Sequence, residues 1–180
     1  MGHTFGSQKY SLSYRAKRAV VRTSLLALGA AFETVSKYST ELKAAIADWE
    51  DDYVFSIGVL PEGPAISLTK QPDRIRYLGK GYKNTNLRIL FKNIDAAFLG
   101  STGRMGSHTA TAQHRSIVHG NLAETLRISR AMNIVQAYVY PGFMLKKTMK
   151  RPPTLAPAQL VLKAYVVATL PIGMLLKARR

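Results

Sequence analysis

Between Tyr53 and Phe91 apolar residues recur at every second position, interrupted by short turn-forming stretches. Tyr53, Phe55, Ile57 and Val59 alternate with smaller or polar residues, which is the period of a strand. Pro61-Glu62-Gly63-Pro64 follows as a turn, with proline presetting φ and glycine relieving it. Ala65–Lys70 makes the return strand, Gln71-Pro72-Asp73 turns the chain again, and Arg74–Leu78 makes a third strand. After a loop over Gly79–Asn86, Leu87, Ile89 and Phe91 share one face of a fourth. Three short connections in succession predict an antiparallel meander, whose outer face carries Arg74, Arg76, Arg88 and Lys92.

Both flanks read as helical. Residues from about 11 to 50 fit two helices with a break near Tyr38-Ser39, where Ser39 can cap the second. Leu42, Ala45, Ile46 and Trp49 lie along one side of that helix, and the cluster Asp48, Glu50, Asp51 and Asp52 opposes the helix dipole and should end it. Downstream, Asn93 caps a short helix over Ile94–Leu99, and the glycine-rich stretch Gly100–Gly106 follows. Ile117 and Val118 place a fifth strand at Ser116–His119. Asn121 with Glu124 opens a helix through about Tyr138, in which Ile128, Met132, Val135 and Val139 keep helical spacing. A basic helix over Phe143–Arg151 and the pair Pro152-Pro153 precede a C-terminal apolar helix.

The fold class expected is therefore α/β (α+β): a small, mostly antiparallel five-stranded sheet covered by helices, with helical N- and C-terminal extensions. The chain divides into a basic amphipathic segment over 1–38, a central domain over 39–151 and an apolar, basic helix over 152–180. At 180 residues and 47% hydrophobic composition the chain can build a sizeable core without staples, and there is no cysteine to make one. That absence also excludes thiolate zinc sites, iron–sulfur clusters and cysteine nucleophiles.

Charge argues for an anionic partner. The chain has 26 Lys and Arg against 10 Asp and Glu, a net charge of +16. Residues 1–32 hold Lys9, Arg15, Lys17, Arg18 and Arg22 and no acid, and no acid follows Glu124. Basic ends rich in apolar residues fit a membrane surface better than a nucleic-acid groove. The contacts expected there are Arg18, Arg22, Lys163, Lys177, Arg179 and Arg180. Ser24–Phe32 after the basic stretch imitates a signal peptide, but Gly29 interrupts it and Glu33 follows, so an amphipathic helix is the expectation. Ala164–Leu176 lacks charge but spans only about 20 Å as a helix, short of a bilayer core, so a buried or surface-lying helix is expected. Cytoplasmic localisation, peripheral to a membrane, follows from these expectations.

No catalytic constellation emerges. Gly100-Ser101-Thr102-Gly103-Arg104-Met105-Gly106 lacks the lysine and preceding strand of a phosphate loop. His108, His114 and His119 match neither a helical ligand pair nor a zinc finger, and carboxylate pairs fall only in the Asp48–Asp52 cluster. No metal, no cofactor and no enzymatic activity are expected. Arg74–Asn93 interleaves six Lys or Arg with Tyr77, Tyr82 and Phe91, and Lys80-Gly81-Tyr82 begins like an RNA-recognition motif before Lys83-Asn84 departs from it.

The order of elements is informative. A helix followed by strands ending in Leu87-Arg88-Ile89-Leu90-Phe91-Lys92-Asn93 resembles the sterol-carrier-protein (type 2) lipid-binding domain. Ile94-Asp95-Ala96-Ala97-Phe98-Leu99 looks like that family's helix after the fourth strand. Arg115-Ser116-Ile117-Val118-His119-Gly120-Asn121-Leu122 is similar to its last strand, glycine turn and helix start, so the resemblance covers roughly residues 40–140. It implies an apolar tunnel for a fatty acid, sterol or acyl chain. By position the lipid-binding candidates are Phe91, Ile94, Phe98, Leu99, Ile117, Leu122 and Leu126, with a dry core as the alternative role for each. The expected function is non-enzymatic binding or transfer of a lipid with docking to anionic membranes. The alternatives are a basic RNA- or ribosome-associated protein, or an accessory subunit of a membrane-associated complex.

Overall fold

Ser39 breaks the N-terminal helical run as its sequence position suggests, its side chain accepting a hydrogen bond from the Leu42 backbone N–H. The computed structural model describes residues 12–149 and 155–178. Helices α1 (Leu12–Tyr38) and α2 (Thr40–Ile46) precede four strands, β1 (Val54–Val59), β2 (Ala65–Gln71), β3 (Arg74–Lys80) and β4 (Leu87–Phe91). Then come α3 (Ile94–Ser101), α4 (Ser107–Ala112), β5 (Ser116–His119), α5 (Leu122–Val139), α6 (Gly142–Thr148) and α7 (Pro157–Ala178). Asn93 and Asn121 cap α3 and α5 through their side-chain oxygens.

The five strands form one sheet in the order β3-β2-β1-β4-β5, antiparallel except for the parallel pair β1–β4. The meander expectation holds for its first two links and fails at the third. β4 lies beside β1, on the far side of β2 from β3. Burial explains the placement: Leu87 and Leu90, on opposite faces of β4, are both buried, which suits the interior of a sheet. β3, with Arg74, Arg76 and Leu78 exposed, stays at the edge, where charge discourages further pairing.

To reach β1, residues 81–86 run back across the outer face of the sheet. Ser67 Oγ donates to the Gly81 carbonyl at 2.8 Å and accepts from the Lys83 N–H at 3.1 Å, and Asn86 bonds both backbone groups of Val54. Tyr82 lies over Gly58, where a Cβ would collide with its hydroxyl and come within 2.6 Å of Ala65 Cβ. Small residues on this face, Ser56, Gly58, Ala65 and Ser67, make room for the crossing strap.

The other face holds the core. Phe55, Ile57, Ile66, Leu68, Ile75, Tyr77 and Leu87 meet Val21, Leu25, Leu26, Phe32 and Val35 of α1 and Ile128, Ala131 and Val135 of α5. The helices at either end of the strand-bearing region fold back onto it. α7 packs on α1 and α5 through Val166, and a Cβ on Gly173 would lie 3.2 Å from Ala30 Cβ, so the two helices approach closely.

Candidate functional site

Where α1, α5 and the end of the sheet diverge, the core opens into a cavity of about 220 Å³. Ile57 and Phe91 close it from the sheet, and Leu25, Ala27 and Leu28 from α1. Met132, Gln136, Val139 and Tyr140 line it from α5, and Gly100, Ser101, Met105 and Ala110 from the α3–α4 region. Gly106 starts α4 hard against the end of α6, where a Cβ would strike the Thr148 carbonyl oxygen. The volume is many times the roughly 10–15 Å³ that one water needs.

The lining is chiefly apolar with a few uncharged polar groups: the hydroxyls of Ser24, Ser101, Tyr140 and Thr148 and the carboxamide of Gln136. Thr148 already donates to the Met144 carbonyl at 3.0 Å. Burial raises the Tyr140 hydroxyl above its ordinary pKa, so it stays a protonated donor at neutral pH. No Lys, Arg, His, Asp or Glu lines the cavity among the described residues, and they include no cluster suited to a metal ion. Such a site can shelter an apolar chain and hydrogen-bond a polar end.

The chain is similar to solved sterol carrier protein 2 domains. No family model and no curated protein matches the sequence. Among solved structures, a Thermus thermophilus protein described as a candidate sterol carrier protein is 17% identical, with a TM-score of 0.46 over 61% of this chain and 80% of that one. A UbiJ-SCP2 ubiquinone synthesis protein is 12% identical, with a TM-score of 0.41 over 69% of this chain and 96% of that one. The apo sterol carrier protein 2 of Yarrowia lipolytica is 12% identical, with a TM-score of 0.38 over 69% and 92%.

Of the seven sterol-carrier-like lipid candidates, Phe91 lines the cavity. Ile94 is buried in the main core, Phe98 packs half-buried against the same core, and Leu99 packs behind the wall on Ala96, Met105 and Ala110. Ile117 pairs with Leu90 on the outer face of the sheet, away from the helices. Leu122 and Leu126 are 73% and 66% exposed. Periodicity gives the reason: Leu126, two residues before the buried Ile128, points about 200° away from it around α5.

Two of the six expected membrane contacts also turn inward. Lys163 Nζ donates to the Ala137 and Tyr140 carbonyls at 2.9 and 2.7 Å, capping the end of α5, and burial lowers its pKa. Lys177 pairs with Glu33 and lies 5.6 Å from the centre of the Tyr77 ring. Arg18 is half-buried, Arg22 is exposed on α1, and Arg179 and Arg180 lie outside the described residues, as does Pro152-Pro153. The lining residues that sequence reasoning missed come mainly from α1 and α5. Gln136, a polar residue one turn from Met132 and Tyr140 on an otherwise inward-facing stripe, was the available signal.

Proposed function

We propose that this protein binds one apolar, chain-like molecule, such as a fatty acyl chain or sterol, in the cavity between α1, α5 and the sheet, and carries it without chemical change. The observation that supports this is the lining: Leu25, Leu28, Ile57, Phe91, Met105, Met132 and Val139 surround about 220 Å³ with no charged side chain among the described residues. Burying apolar surface contributes about 25 cal/mol per Å², which gives affinity without a catalytic group. Purified protein should yield a lipid on organic extraction and bind a fluorescent long-chain probe. Leu28→Trp, which pushes an indole into the cavity, should weaken the probe by about tenfold or more while circular dichroism stays native. An empty extract together with no probe binding at micromolar concentration would end this reading.

Loading and unloading would take place at an anionic membrane surface, with α7 as the contact. α7 is 22 residues, about 33 Å long, and like α1 it is long and apolar enough to cross a membrane. Its outer side exposes Leu160, Val161, Ile172, Leu175 and Leu176, while Lys163 and Lys177 are drawn onto the body. Beside it, Lys37, Arg74 and Arg76 line a groove that also includes Ile172 and Leu176. Apolar residues flanked by cations suit the boundary between acyl chains and anionic headgroups. The full chain should sediment with phosphatidylcholine vesicles containing phosphatidylglycerol, and high salt should reduce the binding only partly. Val161→Glu with Leu175→Glu should remove it. Equal sedimentation of the double variant would discard α7 as the contact.

A further inference from the structure

We infer that the cavity selects a neutral head group bearing a hydroxyl or carbonyl and disfavours an ionised one; the inference rests on the ligand-binding reading above. The polar side chains that line the cavity among the described residues are all uncharged. Gln136 and Tyr140 stand one turn apart at the end of α5, and neither side chain has a hydrogen-bond partner among the described residues. A carboxamide and a phenol can each donate and accept, so together they match an alcohol or carbonyl oxygen. Thr148 adds little, since its hydroxyl is already engaged with the Met144 carbonyl.

The wall offers an anion no cationic side chain among the described residues. Gly100 and Ser101 belong to the last turn of α3, which contains no basic residue, and Gly106 caps the start of α4, so a negative and a positive helix end both border the cavity and offset one another. Lys163 is the cation attached to this part of α5, and its ammonium is committed to the carbonyls of Ala137 and Tyr140 and does not line the space. An ionised carboxylate sealed inside would have hydroxyls and an amide to bond but no counter-charge among the described lining residues. A buried ion without one is far more costly than a buried neutral group that keeps its hydrogen bonds. Burial also holds the Tyr140 phenol in its neutral, donating form.

Ligands with one chain and different heads test the idea on the full-length protein. Hexadecan-1-ol and hexadecanoate, delivered from the same detergent, are titrated by displacement of a single fluorescent probe. At about pH 8, well above the ordinary carboxyl pKa, the alcohol should bind at least about tenfold more tightly. The gap should narrow as pH falls towards the carboxyl range, because the acid becomes neutral while the alcohol does not change. Gln136→Leu with Tyr140→Phe should weaken the alcohol and leave unsubstituted hexadecane unaffected. Hexadecanoate binding as tightly as the alcohol at the higher pH overturns the head-group inference and leaves the ligand-binding reading standing. Failure of both ligands to displace the probe, with the probe itself unbound, overturns that reading and the inference with it.

Discussion

Removing residues 157–180 is expected to lower the thermal midpoint by about 10–20 °C or to leave the protein aggregated. α7 holds Val166 fully buried and packs Leu162, Leu170 and Met174 against the main core. At about 1.5–3 kcal/mol for a fully buried apolar side chain, one full and several partial burials amount to roughly 5 kcal/mol. For a chain of this size each kcal/mol moves the midpoint by about 2–4 °C. The polar ties act in the same direction. Without Lys163 the last carbonyls of α5 lose their cap, and without Lys177 the Glu33 carboxylate loses its ion pair and keeps only the Tyr77 N–H. Lys80 would also lose the Ala178 carbonyl, to which it donates at 2.7 Å. Calorimetry of the full and truncated chains decides the matter. An unchanged midpoint would make α7 an appendage that docks independently, which is what division of the chain at the double proline implies.

The sheet and helix caps could be read from the sequence because they depend on local rules. Period-two alternation between turns located the first four strands, the β-formers Ile117 and Val118 located the fifth, and Ser39, Asn93 and Asn121 marked helix starts with side-chain oxygens. The partner of β4 could not be read this way, since a six-residue loop fits a hairpin as well as a crossing strap. Two features favoured the strap: Leu90 breaks the one-sided alternation of β4, and Ser56, Gly58, Ala65 and Ser67 leave the outer face bare. The cavity was harder. Its walls belong to helices distant in sequence, and inward-facing residues look alike whether they fill a core or line a space. The lysines of α7 misled for a related reason. Lys163, Val166, Leu170, Met174 and Lys177 form one stripe at spacings of three and four, so both ends of the stripe face the body with its middle. Positive charge suggested solvent, but the long alkyl stems let both ammonium groups reach fixed acceptors.

Gly106→Ala is expected to destabilise the protein by about 1–3 kcal/mol and to reduce ligand binding more strongly than its small size suggests. Gly106 has φ of −79° and ψ of 164°, so alanine meets no backbone strain there, and the whole effect comes from space. The added carbon would collide with the Thr148 carbonyl oxygen and lie 3.0 Å from the Thr148 carbonyl carbon. Those are backbone atoms at the end of α6, and they cannot rotate away as a side chain could. Either α4 or the end of α6 must move, and Gly106 and Thr148 both line the cavity, as does Ala110 on α4. Gly142→Ala provides the comparison. Nothing lies within 4 Å of a Cβ added there, at the opposite end of α6 from Thr148. That substitution should be neutral or should stabilise by about 0.4–1 kcal/mol through the unfolded state. Denaturation and probe titration of both variants separate a local clash from a general intolerance of change. If Gly106→Ala binds the probe as the parent does despite its lower stability, the junction between α4 and α6 is packing alone, and the ligand rests against α1 and α5.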